Sequence, residues 1–493
     1  MASWLDPKRV STCVAAVALS AVLLWFGTGM EPMWPLLWLA PLPVLLIATR
    51  ASAFRTAIVA FVAWFAGTLN MWSYLHGLIE VPAADYLINF STMALVFTAT
   101  VLLFRALLRR GAYISALLSV PAAWASFEYI VNLASSSGTA ISLAYSQLRF
   151  LPFLQLASLT GPWGMSFLVF SFPAALAIGA YLYRDAPRRA AWIVGAEIAV
   201  LAAVLVFGTV RLMSPVGGPT LKVGLVASDA PDNDNVAAKG APTDRLLQAY
   251  ADEVAKLAAQ GAKVVVIPEK VGTVTHDDAA SADAILQAIA DQSGVTLVAG
   301  VDHEATKADY NAARVYTPHA ATLEYHKEHM LPPFELKFTP GTSMTLLSHA
   351  TGTWGVAICK DMDFANPSRR YGKAGTGLML VPAWDFNVDW IFHGHIALMR
   401  GVENGFNLVR AAKNGSLYVS DNRGRILAEV RTNTAPFATL IADVPTAHAA
   451  TLYQQLGDWF AWVALALLLW AIAQRLRLRK APLDTATRTG DAT

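Results

Sequence analysis

Long apolar runs constrain this chain more than any other feature of its sequence. Each run approaches the ~20 residues that an α-helix needs to cross the hydrocarbon core of a bilayer. They occur at about 11–28, 34–49, 55–75, 89–108, 112–132, 161–183, 190–212 and 458–474. The chain is 55% hydrophobic and only 15% charged over 493 residues, a balance too apolar for a soluble protein. We therefore expect an integral membrane protein with about eight helical spans.

The loops between these runs predict an orientation. Lysine and arginine in short loops stay on the cytoplasmic side of a membrane. If all eight runs span, the main basic residues fall on one side, at Lys8, Arg9, Arg50, Arg55, Arg105, Arg109, Arg110, Arg184, Arg188, Arg189, Arg475, Arg477, Arg479 and Lys480. Both termini are thus predicted to be cytoplasmic, and the long segment between the seventh and eighth runs is predicted to face outward. The net charge is only +2, and the sequence shows no basic pattern typical of nucleic-acid binding.

That long segment has the character of a water-soluble domain. Short β-branched runs alternate with amphipathic stretches, which is typical of an α/β fold. We expect strands at about 221–226, 263–268, 295–301, 353–359, 378–382 and 415–420, and helices at 243–260, 279–293 and 392–404. The predicted organisation is a transmembrane domain over 1–215, an α/β domain over 219–450, a C-terminal transmembrane helix over 456–476 and a disordered tail over 481–493.

Three residues that follow strand-like stretches are candidates for chemistry: Glu269 after VVVIP, Lys327 after TLEYH and Cys359 at the end of WGVAIC. The only other cysteine, Cys13, lies in the first apolar run, out of disulfide reach. Cys359 is therefore expected to be a free thiol, which suits a buried structural residue as well as a nucleophile. Side chains at the carboxyl ends of strands converge on one rim of an α/β sheet, so these three can meet there as a nucleophile set.

The order and spacing of these residues resemble the Glu-Lys-Cys triad of the nitrilase superfamily. Over about 55–475 the chain is similar to the apolipoprotein N-acyltransferases, the membrane-embedded branch of that superfamily. The similarity rests on PAAWASFEYI (121–130), AYSQLRFLPFLQLASLTGPWGMSFLV (144–169), VVVIPE (264–269), YHKEHMLPPFE (325–335), WGVAICKD (354–361), RGVENGFNLVRAAKNG (400–415) and TLYQQLGDWFAW (451–462). The resemblance implies a nitrilase-like α-β-β-α sandwich inserted between the seventh and eighth spans.

Carried over residue by residue, the resemblance makes Cys359 the nucleophile, Glu269 the general base and Lys327 the lysine that stabilises the oxyanion. Glu335 falls at the position of the family's second active-site glutamate, and the backbone N–H of Lys360 is expected to complete the oxyanion hole. The implied reaction takes the sn-1 acyl chain of a phospholipid onto the cysteine and passes it to the α-amine of the diacylglyceryl-cysteine of an apolipoprotein. The implied enzyme uses no metal or cofactor and works at the bacterial inner membrane.

The chain departs from the family pattern at several positions. Lys360 and Asp361 follow the nucleophile where the family has Tyr-Glu, so Asp361 keeps a carboxylate while the aromatic ring is absent. Lys270 replaces the small polar residue that usually follows the general base. Trp384 lies near the predicted rim and is expected to line the substrate pocket.

Two alternative functions fit the same residues. A membrane-tethered nitrilase-type amidase or hydrolase would let water resolve the thioester, and a non-catalytic homologue would bind lipids or lipopeptides without forming one. The histidines give little support for a metal site, because His393 and His395 are two apart and point away from each other on a helix. Glu128 lies inside an apolar run, where an ionisable group is costly and often functional.

Overall fold

The N-terminal part of the molecule is built from helices. A computed structural model of the protein describes residues 9–230 and 236–480, so the predicted tail over 481–493 lies outside the described residues. The helices are α1 (Val10–Gly27), α2 (Trp34–Leu37), α3 (Leu42–Arg50), α4 (Ala53–Thr68), α5 (Trp72–Leu75), α6 (Ala83–Leu108), α7 (Tyr113–Ala134), α8 (Leu151–Leu154), α9 (Ala157–Thr160), α10 (Pro162–Leu182) and α11 (Pro187–Met213).

Seven helical stretches in the described ranges are long and apolar enough to cross a membrane. They are Val10–Gly27, Ala53–Leu75, Ala83–Leu108, Tyr113–Ala134, Pro162–Leu182, Pro187–Met213 and Trp459–Leu478. The predicted second span is instead a broken pair, α2 and α3, within a shorter apolar stretch from Trp34 to Arg50. Pro41 caps α3 and Pro43 lies in its first turn. Because proline removes a backbone hydrogen bond and clashes with the preceding turn, the helix has to restart there.

Between the long helices lies a domain with two β-sheets. Its strands are β1 (Thr220–Ala227), β2 (Val264–Val266), β3 (Thr273–Thr275), β4 (Thr296–Glu304), β5 (Asp309–Tyr316), β6 (Leu323–His326), β7 (Thr345–His349), β8 (Gly352–Val356), β9 (Thr376–Trp384), β10 (Asn407–Lys413), β11 (Ser416–Ser420), β12 (Ile426–Arg431) and β13 (Ala438–Pro445). The remaining helices are α12 (Ala241–Ala259), α13 (Ala279–Ser293), α14 (Ala365–Lys373), α15 (Phe392–Asn404), α16 (Leu452–Leu456) and α17 (Trp459–Lys480).

The two sheets form the middle of an α-β-β-α sandwich, which confirms the predicted fold. The first sheet has the order β13-β1-β2-β4-β5-β6, with β3 also paired to β4, and the second has the order β12-β11-β10-β9-β8-β7. Their inner faces share one buried core, which includes Val266, Val298, Val356 and Leu380. Helices α12 and α13 cover the outer face of the first sheet. Helix α15 covers the outer face of the second sheet and joins the core of the membrane helices.

The direction of the strands brings several of their ends to one rim. Strands β1, β2 and β4 are parallel in the first sheet, and β8, β9 and β10 are parallel in the second. Strand β6 runs in the same direction as β4, because β5 lies antiparallel between them. The segments that follow β2, β6 and β8 therefore leave their sheets where ligands bind in α/β folds.

Candidate active site

Glu269 lies just past β2, where the rims of the two sheets meet. Its backbone N–H donates to the carbonyl oxygen of Ala383 on β9, 3.2 Å away. The turn that carries Glu269 presses against Gly300 of β4, where a Cβ would lie 2.5 Å from the Glu269 Cα. Because only glycine permits this approach, the position of the Glu269 carboxylate depends on Gly300. The Glu269 side chain is 1% exposed.

Lys327 follows β6 directly and reaches into the same site. Its ammonium donates to Glu269 Oε1 at 2.8 Å and to Glu335 Oε2 at 2.7 Å. Burial alone would lower the pKa of Lys327, but the two carboxylates outweigh it, and the pKa lies well above its ordinary value. Lys327 is therefore a fixed positive charge between two carboxylates.

Glu335 links Lys327 to Lys270 and to the backbone of the segment that follows Lys327. Besides Lys327, it accepts hydrogen bonds from the Lys270 ammonium at 2.7 Å and from the Leu331 backbone N–H at 2.9 Å. Burial favours the neutral acid, but the ammonium groups of Lys327 and Lys270 hold the pKa of Glu335 well below its usual range. Two carboxylates and two ammonium groups thus form a closed set with balanced charge.

Asn311 is a site residue that sequence reasoning missed. Its side-chain amide donates to Glu269 Oε1 at 2.5 Å and to Glu335 Oε1 at 2.7 Å, so it bridges the two carboxylates. Asn311 is fully buried in β5. Its backbone carbonyl oxygen accepts a hydrogen bond from the backbone N–H of Lys327, 2.9 Å away. In the sequence, the only sign of this role is an amide side chain in the stretch DYNAARVY, which forms β5. Strand β5 comes just before β6, the strand that leads to Lys327.

The prediction that Cys359 is the last residue of a strand is wrong. Strand β8 ends at Val356, and Cys359 begins a 3₁₀ turn over Cys359–Asp363 with a φ of +41°. This left-handed conformation is uncommon for a residue with a side chain and is typical of strained functional positions. The Cys359 Sγ lies 3.5 Å from the carbonyl oxygen of Trp384 at the end of β9.

The surroundings of Cys359 favour the protonated thiol, and Glu269 has an oxygen available for its proton. Burial raises the pKa of the Cys359 thiol, and the Glu269 carboxylate raises it further, while Lys327 opposes them. Glu269 Oε1 is occupied by Lys327 and Asn311. Its Oε2 is buried and has no hydrogen-bond partner among the described residues. This oxygen therefore has lone pairs that are not used by a neighbouring donor.

Asp361 fastens the nucleophile turn to the segment that contains Lys327. The carboxylate is fully buried. It accepts hydrogen bonds from the Tyr325 hydroxyl and from the N–H groups of Glu328, His329 and Ile358, at 2.8, 3.0, 2.9 and 3.1 Å. These bonds connect the carboxyl end of β6 to the carboxyl end of β8. Asp361 therefore fixes the position of Cys359 relative to Lys327.

Lys360 and Trp384 complete the set of predicted site residues. Lys360 is the second residue of the 3₁₀ turn, where backbone N–H groups have no acceptor within the turn. Its buried ammonium pairs with Asp363 at 3.3 Å. The Trp384 ring contacts two ammonium groups, with Lys270 Nζ 5.1 Å and Lys413 Nζ 4.5 Å from its centre. The part of Trp384 nearest the thiol in the hydrogen-bond geometry is its backbone carbonyl oxygen.

A cavity of about 190 Å³ lies between the membrane helices and the α/β domain. Its walls on the membrane side are mostly apolar and include Trp64, Met71, Ile79, Phe90 and Met93. The α/β domain contributes Leu331, Lys360, Phe392 and His393. Because Lys360 directly follows Cys359, the cavity reaches the nucleophile turn. Its walls suit a hydrocarbon chain with a polar end.

Glu128 lies apart from this cluster. Its carboxylate accepts hydrogen bonds from Trp124, Ser142, Leu143 and Ser166, at 2.9, 2.8, 2.8 and 2.6 Å. Glu128 therefore ties α7 to α10 and to the segment before α8, and its hydrogen-bonding capacity is used within the helical domain.

The fold and the site together define a class of protein. A cysteine on a strained turn, beside a buried lysine and two carboxylates at the rim of an α-β-β-α sandwich, is a carbon-nitrogen-hydrolase type of site, here attached to membrane helices. Two family models match the chain. Residues 20–175 match the apolipoprotein N-acyltransferase N-terminal domain, and residues 235–454 match the carbon-nitrogen hydrolase domain.

Curated relatives support the same assignment. An apolipoprotein N-acyltransferase of Geobacter metallireducens is 28% identical, over 91% of this chain and 92% of that protein. One from Bradyrhizobium diazoefficiens is 27% identical, over 69% of this chain and 70% of its own length. The chain belongs to the apolipoprotein N-acyltransferase family and is an acyltransferase enzyme.

Shorter stretches of the chain are similar to amidases. An (R)-stereoselective amidase of a Pseudomonas species is 26% identical over 29% of this chain and 56% of that protein. Among solved structures, an amidase of the nitrilase superfamily from Nesterenkonia AN1 aligns with a TM-score of 0.42 and 22% identity, over 51% of this chain and 99% of that chain.

Proposed function

We propose that this enzyme transfers an acyl chain from a phospholipid to the α-amine of the diacylglyceryl-cysteine of an apolipoprotein, through a thioester on Cys359. The observation that carries this proposal is the buried Oε2 of Glu269, which has no hydrogen-bond partner among the described residues. It makes Glu269 a base for the proton that the Cys359 thiol has to lose. Membership of the family and the membrane-side cavity support the choice of substrates.

In the first half-reaction, the thiol proton moves to Glu269 Oε2 and the sulfur attacks the sn-1 ester carbonyl. The Lys327 ammonium and the backbone N–H of Lys360 stabilise the resulting oxyanion. The intermediate then loses the lysophospholipid alkoxide, which takes the proton from Glu269, and the acyl chain stays on Cys359 as a thioester.

In the second half-reaction, the neutral α-amine of the acceptor attacks the thioester. The same oxyanion donors act again, and Glu269 accepts the proton that the amine nitrogen loses. Cleavage of the C–S bond gives the amide, and the leaving sulfur recovers its proton from Glu269. A thioester intermediate separates the two lipid substrates in time, so one apolar cavity can serve both.

The Lys360 side chain suits a phospholipid donor in particular. Its ammonium lines the cavity, and the single ion pair with Asp363, at 3.3 Å, leaves donor capacity for another anion. A phosphodiester whose acyl chain lies along the apolar wall would be attracted to this ammonium. We expect Lys360 to bind the phosphate of the donor beside the nucleophile turn.

The pattern of basic loops supports an orientation in the bacterial inner membrane. Both termini are proposed to be cytoplasmic and the catalytic domain to face the periplasm, where lipoprotein acceptors lie. Fusions at residue 493 test this: a C-terminal green fluorescent protein is expected to fluoresce and a C-terminal alkaline phosphatase to be inactive. The opposite pair of results would reverse the proposed orientation.

Intact-mass spectrometry tests the reaction directly. Purified protein is incubated with phospholipid and then with a diacylglyceryl peptide that has a free N-terminus, with Cys359→Ala and Cys13→Ala in parallel. We expect an acyl-sized mass gain in the wild type and in Cys13→Ala, lost from Cys359→Ala, that is discharged onto the peptide amine. Discharge to water alone would favour the amidase or hydrolase. Lipid binding without any adduct would favour a non-catalytic binding protein.

A further inference from the structure

A cluster of two histidines and a glutamate lies on the outer face of the first sheet. His303 belongs to β4, and Glu324 and His326 belong to β6. One ligand-capable atom from each side chain lies within 4.8 Å of the others. His303 Nδ1 and His326 Nε2 approach the same oxygen, Glu324 Oε1, at 2.8 and 2.7 Å. None of these residues takes part in the reaction described above.

The register of the sheet creates this cluster. Strand β5 lies between β4 and β6, with Tyr310 opposite His303 and Ala312 opposite His326. Because side chains alternate across a strand, His303, Glu324 and His326 all point to the face covered by α12 and α13. Ala312 lies on the same face of β5, directly opposite His326.

Neighbouring residues fix the orientation of the three side chains. Arg314 Nε donates to Glu324 Oε2 at 3.1 Å, which turns Oε1 toward the imidazoles. The charge of Arg314 is balanced by Asp283 of α13, 2.8 Å away. The Tyr310 ring stacks on the His326 ring with centres 3.8 Å apart. Such supporting contacts around ligands are typical of metal sites.

The chemistry of the set suits a borderline divalent ion. Two imidazole nitrogens and one carboxylate oxygen form a common three-ligand set for zinc, with a fourth position left for water. Zinc–ligand bonds of about 2.0–2.2 Å require ligand atoms about 3.3 Å apart, so the two short N···O distances have to open by about 0.5 Å. The side chains of His303, Glu324 and His326 are 16%, 25% and 32% exposed, which gives an ion access from water.

We propose that His303, Glu324 and His326 bind a divalent transition-metal ion of the zinc class. On binding, each imidazole would carry its proton on the other ring nitrogen, so that His303 Nδ1 and His326 Nε2 bind the ion through their lone pairs. The ion would then link β4 to β6 across β5. Since His326 directly precedes Lys327, this link restrains the strand that presents the catalytic lysine from the opposite face of the sheet. The site is separate from the acyl-transfer chemistry, so its existence does not depend on the proposed function.

The test uses the full-length protein in detergent after treatment with a chelator. Zn²⁺ is titrated in competition with a chromophoric chelator, and Co²⁺ is added separately to record its visible absorption. We compare the wild type with His303→Ala, Glu324→Gln and His319→Ala. His319 is the matched control, because its side chain is 79% exposed and is not part of the cluster.

We expect one equivalent of Zn²⁺ in the wild type and in His319→Ala, and binding about 100-fold weaker in His303→Ala and Glu324→Gln. Zn²⁺ should raise the unfolding temperature of the wild type and not that of Glu324→Gln, which keeps the shape of the carboxyl group. Co²⁺ should give d–d absorption bands that are absent from His303→Ala. Equal Zn²⁺ binding by all four proteins, or no binding by the wild type, would overturn the proposal. Circular dichroism of the metal-free proteins excludes misfolding as the cause of a loss.

Discussion

The ammonium of Lys270 lies 2.7 Å from Glu335 Oε1, and the two side chains are only 12% and 2% exposed. This ion pair brings a second ammonium group to Glu335, beside that of Lys327. It provides a second cation for the Glu269 and Glu335 carboxylates, which would otherwise share Lys327 alone. Lys270 is thus part of the buried charge cluster at the candidate site.

Replacement of this lysine tests its contribution. Lys270→Ser leaves Glu335 with one buried cation fewer and is expected to lower the free energy of unfolding by about 1–3 kcal/mol. Thermal unfolding in detergent measures the change. Lys256→Ser is the control, because Lys256 also pairs with a glutamate but is 65% exposed. Equal unfolding temperatures for the two variants would contradict a stabilising role for the Lys270–Glu335 pair.

The proposed role of Glu269 as general base predicts that its replacement greatly slows acyl-enzyme formation. Glu269→Gln keeps the shape of the side chain but removes the proton acceptor at Oε2. We expect acyl-enzyme formation on Cys359 to slow by about 10²–10⁴-fold, measured by intact mass after rapid quenching. Glu253→Gln on α12 makes the same chemical change outside the site and should react at the wild-type rate. A Glu269→Gln rate within a few-fold of the wild type would exclude Glu269 as the base.

The raised pKa of Cys359 predicts how the thiol responds to pH. Burial and the Glu269 and Asp385 carboxylates raise this pKa, while Lys327 and Arg410 lower it, and the net direction is upward. Because a raised pKa keeps the thiol neutral at pH 7, alkylation by iodoacetamide should be slow there and should accelerate up to at least about pH 9. The measurement uses Cys13→Ala, and the double variant Cys13→Ala/Cys359→Ala gives the background. A rate that is already constant above pH 7 would show a preformed thiolate.

Asp361 is expected to act by positioning and not by touching the substrate. All its hydrogen-bond partners given above are donors, so Asp361→Asn has to turn an NH₂ group toward other donors. We expect a lower unfolding temperature together with a lower maximal rate and a nearly unchanged KM for phospholipid. Asp443→Asn, on the exposed side of β13, is the control. A change confined to KM would instead place Asp361 in substrate binding.

The phosphate-binding role proposed for Lys360 predicts that its replacement affects a phospholipid acyl donor more than an uncharged one. Lys360→Met keeps most of the side-chain length but removes the ammonium that lines the cavity. We expect the KM for phospholipid to rise about tenfold, since charge-assisted hydrogen bonds contribute about 1.5–3 kcal/mol. Acylation of Cys359 by an uncharged p-nitrophenyl ester of the same chain length should change little. Equal losses with both donors would indicate that Lys360 supports the nucleophile turn and does not recognise phosphate.

Much of the architecture was accessible from the sequence, because it depends on local patterns. The helices predicted at 279–293 and 392–404 match α13 and α15. Amphipathic spacing indicates each helix, and the glycine that follows it marks its C-terminal end. The long apolar runs are likewise visible without a structure. The prolines of the second run were also visible, but only the structure determines that they divide it into α2 and α3.

The candidate site divides in the same way. The sequence by itself determined that Glu269 and Lys327 follow strands and that Cys359 is a thiol in the α/β domain, because these facts depend on neighbours in the chain. Only the tertiary structure decided that Cys359 has a φ of +41°, that Asn311 bridges two carboxylates and that Lys270 pairs with Glu335. It also decided that His303 meets His326, through the register of β4, β5 and β6. These contacts join residues far apart in sequence, and the free energy that selects them comes from packing and charge balance around the whole rim.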